Sequence, residues 1–353
     1  MRSITLAVCF LGLVALATPG ARAVQYRVHN IGDLIRTERN VARAINESNV
    51  VVAGSTGYEQ TDHQAAYLWR PGSAPSYIQV TGILDIASDI NDHGDVVGYG
   101  GGCPERLTVR MADGTLVGLD RPPGMEHTFA YTSGINDDRQ VVGTIGDYAV
   151  FWSSPDSPIE IGDNSARENV GIDLNNSDQV LWSSTSDAPD GLRTQPYIWT
   201  QSGGSIPLMI PADAASWGAY ACAMNDDGIV VGRANGAVKW LPDGTVQKLP
   251  DMGSTSGNEA LGVNNVGQVV GSLGKKAVLW NTDGSIVDLS AGLGDYESYA
   301  TDINDRGWIT GYLVTNDWAY CQSLVWEPVP EPSSLLILCS GLLALAGIIR
   351  RKK

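Results

Sequence analysis

The chain has 353 residues, 43% of them hydrophobic, and its 23 Lys and Arg against 39 Asp and Glu give a formal net charge of −16. This acidic balance argues against partners that attract cationic proteins, so we expect no nucleic-acid partner and no anionic membrane surface. The four His and five Cys form no recognisable zinc pattern.

Residues 1–23 have the features of a secretory signal peptide. Arg2 precedes an apolar run over residues 4–17, and Ala21-Arg22-Ala23 is an A-x-A cleavage site. The sequence therefore predicts export. The exported body keeps 17 Lys and Arg against 38 Asp and Glu within residues 24–330. Its cysteines are Cys103, Cys222 and Cys321, and the sequence assigns no disulfide pairing among them.

One phrase returns seven times along this body. It reads Ile-Asn-Asp-x-Gly-x-Val-Val-Gly, or a close variant, at intervals of 39 to 50 residues. A period near forty, made of short apolar runs and tight turns, is typical of a β-propeller. The anchoring asparagines are Asn46, Asn91, Asn136, Asn175, Asn225, Asn264 and Asn304.

Each repeat reads as four short strands, which we name a, b, c and d. In the sixth repeat they cover residues 260–264, 268–272, 277–280 and 285–289. The a–b turn is a three-residue hairpin loop, which needs a left-handed residue at its end. That position holds Asn49, Gly94, Arg139, Asp178, Gly228, Gly267 and Gly307.

Three recurring positions predict how the strands pack. A small residue four before each anchor fits an innermost strand a, where blades crowd around an axis. The apolar residue just before each anchor is expected to pack between blades, and a Trp ends strand c in six repeats as blade core. The small residues are Ala42, Ala87, Thr132, Gly171, Ala221, Ala260 and Ala300; the tryptophans are Trp69, Trp152, Trp199, Trp240, Trp280 and Trp326.

The two ends of the repeat region complement each other. The seventh repeat stops after strand c at Trp326, whereas residues 26–34 read as a d strand that precedes the first strand a. An N-terminal strand that completes the last blade would close the ring and remove open edges. The sequence therefore predicts an all-β, seven-bladed propeller of four-stranded blades over residues 24–328. The divergent fourth repeat leaves six or eight blades as alternatives.

The repeat phrase resembles the HAF-type extracellular repeat family, which is named for a His-Ala-Phe at strand c. This chain departs from that name, since its c strands read Ala66-Tyr67-Leu68-Trp69 or Ala149-Val150-Phe151-Trp152. The resemblance implies secretion and repetition, and it implies no known chemistry.

The b–c and d–a loops emerge on one face of such a ring, and they vary most between repeats. Long b–c loops are expected at residues 55–65, 183–196 and 313–323. Aromatic rings beside polar groups suit a sugar, because a pyranose stacks its C–H face on a ring while its hydroxyls form hydrogen bonds. The candidate ligand-binding residues on this face are Tyr58, Trp217, Tyr220, Tyr296, Tyr299 and Trp318.

Two other kinds of site are compatible with the sequence. A carbohydrate-active hydrolase or lyase on the same face is one alternative. Glycoside hydrolysis would need a carboxylate pair about 5–9.5 Å apart, and the loop carboxylates are too numerous to select one. Asp89, Asp173 and Asp302, each two residues before an anchor, are weak candidates for a cation such as Ca²⁺ in the central channel. No other cofactor is expected, and a purely structural surface protein remains an alternative.

Residues 329–353 form a second targeting segment. Pro330-Glu331-Pro332 precedes an apolar stretch over residues 335–349, which four basic residues follow. As a helix the stretch would span roughly 22 Å, which is short for a bilayer core of about 30 Å, and the basic residues fit a cytoplasmic stop. This ending resembles the PEP-CTERM sorting signal of Gram-negative bacteria that make exopolysaccharide.

That resemblance implies recognition near Pro330, Glu331 and Pro332 by an exosortase-type membrane protease. The C-terminal helix would then be a transient inner-membrane anchor, with an ordinary membrane anchor as the alternative. Together these features predict a secreted, non-catalytic surface or biofilm-matrix protein. Its expected ligand is exopolysaccharide or another extracellular molecule, bound through the b–c and d–a face.

Overall fold

The computed structural model describes residues 25–32, 40–55, 65–78, 83–100, 106–162, 165–189, 191–214, 218–253, 257–314 and 321–329. These residues form 28 strands in seven four-stranded sheets. Each sheet is one blade, and in six of the seven blades four consecutive strands lie side by side as antiparallel neighbours. The predicted seven-bladed, all-β propeller is confirmed.

The first four blades follow the chain in order. Blade 1 is β2 (Asn40–Ile45), β3 (Val51–Ser55), β4 (Ala65–Trp69) and β5 (Ser76–Tyr77). Blade 2 is β6 (Ile86–Ile90), β7 (Val96–Gly100), β8 (Arg106–Arg110) and β9 (Leu116–Gly118). Blade 3 is β10 (Ala130–Ile135), β11 (Val141–Ile145), β12 (Tyr148–Trp152) and β13 (Pro158–Ile161). Blade 4 is β14 (Glu168–Leu174), β15 (Val180–Ala188), β16 (Gly191–Thr200) and β17 (Gly204–Pro207).

The last three blades include the closing one. Blade 5 is β18 (Tyr220–Met224), β19 (Val230–Arg233), β20 (Ala237–Trp240) and β21 (Val246–Lys248). Blade 6 is β22 (Glu259–Val263), β23 (Val269–Leu273), β24 (Lys276–Trp280) and β25 (Ile286–Asp288). Blade 7 combines β26 (Glu297–Ile303), β27 (Ile309–Val314) and β28 (Cys321–Val329) with β1 (Gln25–Asn30).

The N-terminal strand completes the last blade, as the sequence predicts. β1 lies beside β28 as the fourth strand of blade 7. Side chains tie the pair: Arg27 lies 3.1 Å from Glu327, and Asn30 donates to Gln322 at 2.9 Å. Because β1 pairs with β28, the edge of β28 is not left open to solvent.

The a–b turns have the predicted backbone. All seven turn-ending residues have a positive φ, between 57° and 87°. Glycine does this without strain, and Asn49, Arg139 and Asp178 adopt the same conformation with a side chain. The turns are therefore alike in geometry even where the residue changes.

A ring of asparagine side chains joins the blades beneath these turns. Each anchor donates its side-chain amide to the backbone carbonyl of the next anchor, at 2.9 to 3.1 Å. Its side-chain oxygen accepts the N–H four residues later, as Asn46 does from Val50 at 2.9 Å. All seven anchors are 3–5% exposed, so these hydrogen bonds are made in a buried environment.

The other recurring positions pack as expected, with one difference. The small residues four before the anchors are buried, and so are the apolar residues just before the anchors. Trp152, Trp240, Trp280 and Trp326 are at most 2% exposed, and each donates its indole N–H to a backbone carbonyl of the preceding blade. Trp199 is the exception, because it is partly exposed.

The fourth blade differs from the sequence interpretation. Residues 183–196 were expected to form a long b–c loop, but most of them lengthen β15 and β16 into one hairpin, paired as far as Ala188 and Gly191. The stretch is polar, but each strand of the hairpin supplies hydrogen-bond partners for the backbone of the other. The prediction of a loop at residues 183–196, which was based on their polarity, was therefore wrong.

Candidate functional site

A channel runs through the ring, because each strand a contacts the strand a of both neighbouring blades, and β26 contacts β2. Strand a begins at the d–a loop and ends at the a–b turn. We call the end beside the d–a and b–c loops the upper mouth, and the end beside the a–b turns the lower mouth.

The lower mouth is a ring of carboxylates and amides around a cavity of about 190 Å³. The residue after each anchor donates its backbone N–H to the side-chain oxygen of its counterpart in the next blade, at 2.6 to 2.9 Å. The seven residues are Glu47, Asp92, Asp137, Asn176, Asp226, Asn265 and Asp305. Their oxygens thus serve as acceptors that close the ring.

Partial burial affects this ring electrostatically. It raises the pKa of both Glu47 and Asp92, an effect that neighbouring carboxylates reinforce and that the N–H donors oppose. The lower mouth is therefore acidic, but its acids are engaged with the protein backbone.

Asp89, Asp173 and Asp302 lie farther up the channel, where each clamps two blades. Asp89 accepts the N–H of Ile90 in its own blade at 2.8 Å and that of Ile135 in the next blade at 2.9 Å. Asp173 and Asp302 make the same pair of bonds at their own blade junctions. Strand a has no neighbouring strand on its channel side, so its N–H groups need such partners.

Burial also controls the protonation of these three acids. It raises the pKa of Asp89 to about 7 and the pKa of Asp173 well above its usual range, and the negative charge of Asp89 adds to the effect on Asp173. The pKa of Asp302 is raised by burial as well. Among the described residues, no three His, Cys, Asp or Glu side chains are arranged to hold a metal ion. The cation assignment stays a prediction.

The upper mouth holds the second cavity, of about 460 Å³, which we call the mouth pocket. It lies between blades 1, 2 and 3 and is lined mainly by residues of their a strands. Its lining residues are Arg43, Ser88, Tyr99, Phe129, Tyr131, Thr132 and Ser133. The pocket is therefore built from an aromatic group, a guanidinium and hydroxyls.

Three aromatic rings form one wall of the mouth pocket. The ring centroid of Tyr131 lies 6.3 Å from that of Tyr99 and 6.0 Å from that of Phe129, each at an interplanar angle of 53°. Phe129 is 59% exposed, which is high for a ring of its size. The wall thus offers apolar ring surface to a molecule in the mouth.

The polar wall contains two groups without a protein partner. Among the described residues, no hydrogen bond or ion pair reaches the guanidinium of Arg43, and its Nε atom is buried. The hydroxyl of Thr132, a residue only 2% exposed, is also buried without a partner. Ser133, by contrast, donates to the carbonyl of Gly171 at 2.7 Å.

Blades 5 to 7 contribute a second cluster to the upper mouth. Arg233 lies 4.5 Å above the ring of Tyr220 and 2.5 Å from Glu259. Tyr299 stacks on Tyr312 with centroids 5.2 Å apart. Burial raises the pKa of both tyrosines to about 12, so their hydroxyls remain neutral donors at neutral pH.

The carboxylates of this cluster are engaged. Glu297 accepts from the hydroxyl of Tyr299 at 3.2 Å and pairs with Lys275. Glu259 pairs with Arg233. Each carboxylate thus already has a cationic partner.

Half of the predicted aromatic candidates can be located. Tyr220 and Tyr299 belong to the second cluster, and Tyr296 is 46% exposed on the adjacent d–a loop. Tyr58, Trp217 and Trp318 lie outside the described residues, and so does Cys103. Of the two described cysteines, Cys222 is partly buried and Cys321 is buried.

Sequence reasoning missed the mouth pocket itself. All of its residues except Phe129 lie on strands a and b, whereas the candidates were sought in loops. One signal was available: a tyrosine recurs five residues before the anchor, as Tyr131, Tyr220 and Tyr299. That repetition marks a position near the start of strand a whose side chain is at least partly exposed.

The PEP-CTERM protein-sorting motif matches residues 328–352. This motif is a recognition signal for exosortase processing, and it marks a protein for export to the surface. Its apolar segment lies outside the described residues. Within the described ranges, no helix is long and apolar enough to cross a bilayer.

No curated protein matches the sequence. The fold is similar to that of several solved enzymes. A streptogramin B lyase has a TM-score of 0.60 at 11% identity, covering 86% of this chain and 98% of the other. A catalytically inactive virginiamycin B lyase from Staphylococcus aureus with quinupristin has a TM-score of 0.59 at 9% identity, covering 87% and 100%.

Acylaminoacyl peptidase from Pyrococcus horikoshii has a TM-score of 0.55 at 10% identity, covering 87% of this chain and 55% of the peptidase. At such low identities these similarities show a shared propeller fold alone.

Proposed function

We propose that this protein is a secreted, non-catalytic surface protein that binds an extracellular polysaccharide at the upper mouth of its propeller. The observation that carries the proposal is the mouth pocket, where Tyr99, Phe129 and Tyr131 face a cavity together with Arg43 and hydroxyl groups. Its volume of about 460 Å³ lies within the range of small-molecule sites.

The chemistry of the pocket supports a sugar. A pyranose has one apolar C–H face and a rim of hydroxyls, so it needs ring surface on one side and hydrogen-bonding groups on the other. The mouth pocket combines both within three neighbouring blades. A flat apolar ligand would leave Arg43 and Thr132 without acceptors, which is costly for buried polar groups.

The choice of exopolysaccharide rests on the sorting motif at residues 328–352. Such motifs accompany exopolysaccharide production in Gram-negative bacteria, which makes a biofilm matrix the natural location for the released protein. This support comes from association and not from the geometry of the pocket. The HAF-type resemblance adds only that the repeats are extracellular.

Several fold relatives are lyases or peptidases, so cleavage of the ligand is the competing outcome. Two of the described carboxylates beside the upper mouth, Glu259 and Glu297, are held in contacts with Arg233 and Lys275. A carboxylate that acts as general base or nucleophile needs access to the substrate, and these pairings reduce that access.

The test is a polysaccharide pull-down and glycan array with residues 24–330, with and without calcium, followed by analysis of the retained glycan. This segment contains all 28 strands and the closed ring. Tyr131→Ala should weaken binding roughly tenfold or more, because it removes a stacking surface. Tyr77→Ala is the matched control, since Tyr77 is 67% exposed on the outermost strand of blade 1.

Intact glycan that is retained by the wild type and by Tyr77→Ala, but not by Tyr131→Ala, supports the proposal. Shortened glycan would place the protein among carbohydrate-active enzymes. Failure of every glycan to bind would leave a structural surface role.

A further inference from the structure

We infer that the mouth pocket selects an acidic saccharide, in which a carboxylate on the sugar ring pairs with the guanidinium of Arg43. This inference rests on the proposed function and adds the chemical class of the ligand. It is carried by the position of Arg43 in the pocket and by its lack of a partner.

Arg43 differs from the other described arginines. Four of them lie in ion pairs with carboxylates: Arg27, Arg139, Arg167 and Arg233. Arg110 and Arg121 donate to backbone carbonyls. The remaining four, Arg70, Arg106, Arg193 and Arg306, are exposed to solvent. Only Arg43 is both partly buried and without a partner within the described ranges.

This arrangement is unexpected in so acidic a chain. Acidic residues outnumber basic ones by 39 to 23, so carboxylate partners are abundant. Asp89 and Asp302, the channel acids on the a strands of the two neighbouring blades, each use both oxygens to accept backbone N–H groups. A guanidinium that is partly removed from water and left without an acceptor is unfavourable, and an incoming carboxylate would satisfy it with paired hydrogen bonds.

The aromatic wall distinguishes a sugar acid from a bare anion. A simple anion site needs only donors, whereas this pocket places Phe129 and Tyr131 beside the guanidinium. Phe129 is 59% exposed, and a stacked sugar ring would remove that surface from water. A ligand with a carboxylate next to an apolar ring face fits both walls at once.

The net negative charge of the protein opposes an anionic ligand only at long range. Exposed carboxylates farther away than a Debye length, about 8 Å at physiological ionic strength, are largely screened. The contact with Arg43 is short and partly shielded from water, so salt screens it much less. Added salt should therefore speed association without abolishing binding.

The experiment is titration calorimetry of residues 24–330 with three probes. The first is a four-residue oligogalacturonide, the second is its fully methyl-esterified form, and the third is acetate. The ester keeps the sugar ring and removes the charge, whereas acetate keeps the carboxylate and removes the ring. Arg43→Gln, Arg43→Lys and Arg70→Gln are compared with the wild type. Arg70 is the matched control because it lies in the same blade, exposed at the c–d turn.

We expect the acid to bind at least tenfold more tightly than the ester, and acetate not to compete at matched carboxylate concentration. Hydrogen bonds to a charged partner predict a loss of roughly 10- to 100-fold for Arg43→Gln towards the acid. That variant should bind acid and ester alike, Arg43→Lys should keep part of the preference, and Arg70→Gln should behave as wild type.

Equal binding of acid and ester by the wild type would overturn the inference and leave the proposed function standing. The inference also fails if Arg43→Gln keeps the preference for the acid, or if acetate competes as well as the oligosaccharide. Absence of binding to any saccharide would overturn both proposals together. The wild-type comparison of acid with ester needs no variant, so the inference remains testable if Arg43→Gln does not fold.

Discussion

Asn304 in the last blade donates its side-chain amide to the backbone carbonyl of Asn46 in the first blade, at 3.0 Å and across 258 residues of sequence. The same bond joins each of the other six pairs of neighbouring blades. The repeated asparagine is thus a junction between blades as well as the start of a turn, and its role is structural.

Asn225→Ala should destabilise the whole ring. The change leaves the N–H of Ile229 and the carbonyl of Asn264 without their buried partner. Two such losses predict a cost of about 2–4 kcal/mol in the free energy of unfolding. Denaturant unfolding would measure it. The control is Asn265→Ala, an exposed neighbour in the lower-mouth ring, whose loss should cost under about 1 kcal/mol. Equal effects of the two changes would contradict the junction role.

Stability should fall as the pH rises from about 4 to about 7. Because burial raises the pKa of Asp89 to about 7, the folded protein holds a proton that the unfolded chain releases near 4. The corresponding stabilisation is fully present below the unfolded pKa and is lost as the pH rises through the folded pKa. For Asp89 alone it is at most about 4 kcal/mol, and less where channel solvent reaches the side chain.

Asp89→Ala isolates this contribution, because Ala44 occupies the same position in blade 1. The variant should unfold at lower temperature at every pH, since it loses two acceptors, but its melting temperature should fall less steeply between pH 5 and pH 8. Asp113→Ala serves as the control, because hydrogen bonds from Thr115 lower the pKa of that exposed carboxyl and it does not titrate in this range. A variant with the wild-type slope would show that Asp89 is not the titrating group.

Removal of residues 24–31 should open the ring. Blade 7 would then lack β1, and β28 would present an unpaired edge. Exposed edges pair with other chains, so we expect a lower melting temperature and concentration-dependent association in sedimentation experiments. Ending the chain at residue 329 leaves every strand in place and should change neither property.

Trp152→Phe should cost about 1–3 kcal/mol of stability. The indole N–H of Trp152 donates to the carbonyl of Asp120 in the preceding blade at 2.6 Å, and phenylalanine leaves that carbonyl without its partner. Trp199→Phe is the comparison, since Trp199 is partly exposed and its indole N–H has no hydrogen-bond partner within the described ranges. A thermal scan that shifts equally for both variants would argue against the inter-blade bond.

Thr132→Val should stabilise the ligand-free protein slightly. The Thr132 hydroxyl is buried without a partner. Valine replaces this hydroxyl by a methyl group of similar shape, which should raise the free energy of unfolding by roughly 1 kcal/mol. Chemical denaturation of the free protein measures this gain. A clear loss of stability would mean that the hydroxyl has a partner in solution.

Local chemistry explains why the fold was predictable. Turn residues such as Asn49, Gly94 and Gly267 indicate the backbone conformation of their hairpins, and the number of anchoring asparagines indicates the number of blades. The extra strand before the first repeat and the missing strand after the last one indicate how the ring closes. The turn and anchor signals lie within one repeat, where residues close in sequence are also close in space.

The mouth pocket was not predictable in this way. Arg43, Tyr99 and Tyr131 come from three consecutive blades and meet only once these blades have packed side by side. Nothing in the local sequence of Arg43 shows that it lacks a carboxylate partner. The fourth-blade hairpin was missed for a related reason, because pairing across Ala188 and Gly191 overrides a polar composition.

The asparagine bonds all run in the same direction around the ring, so every blade is donor to one neighbour and acceptor from the other. In a linear array of repeats, the terminal units have one free face and fray first. Here no unit is terminal, and disorder cannot start at an end and spread inward. Opening must break a junction whose bonds are buried, which favours slow, all-or-none unfolding. Such persistence suits a protein that works outside the cell, where no chaperone returns a partly opened chain to its native state.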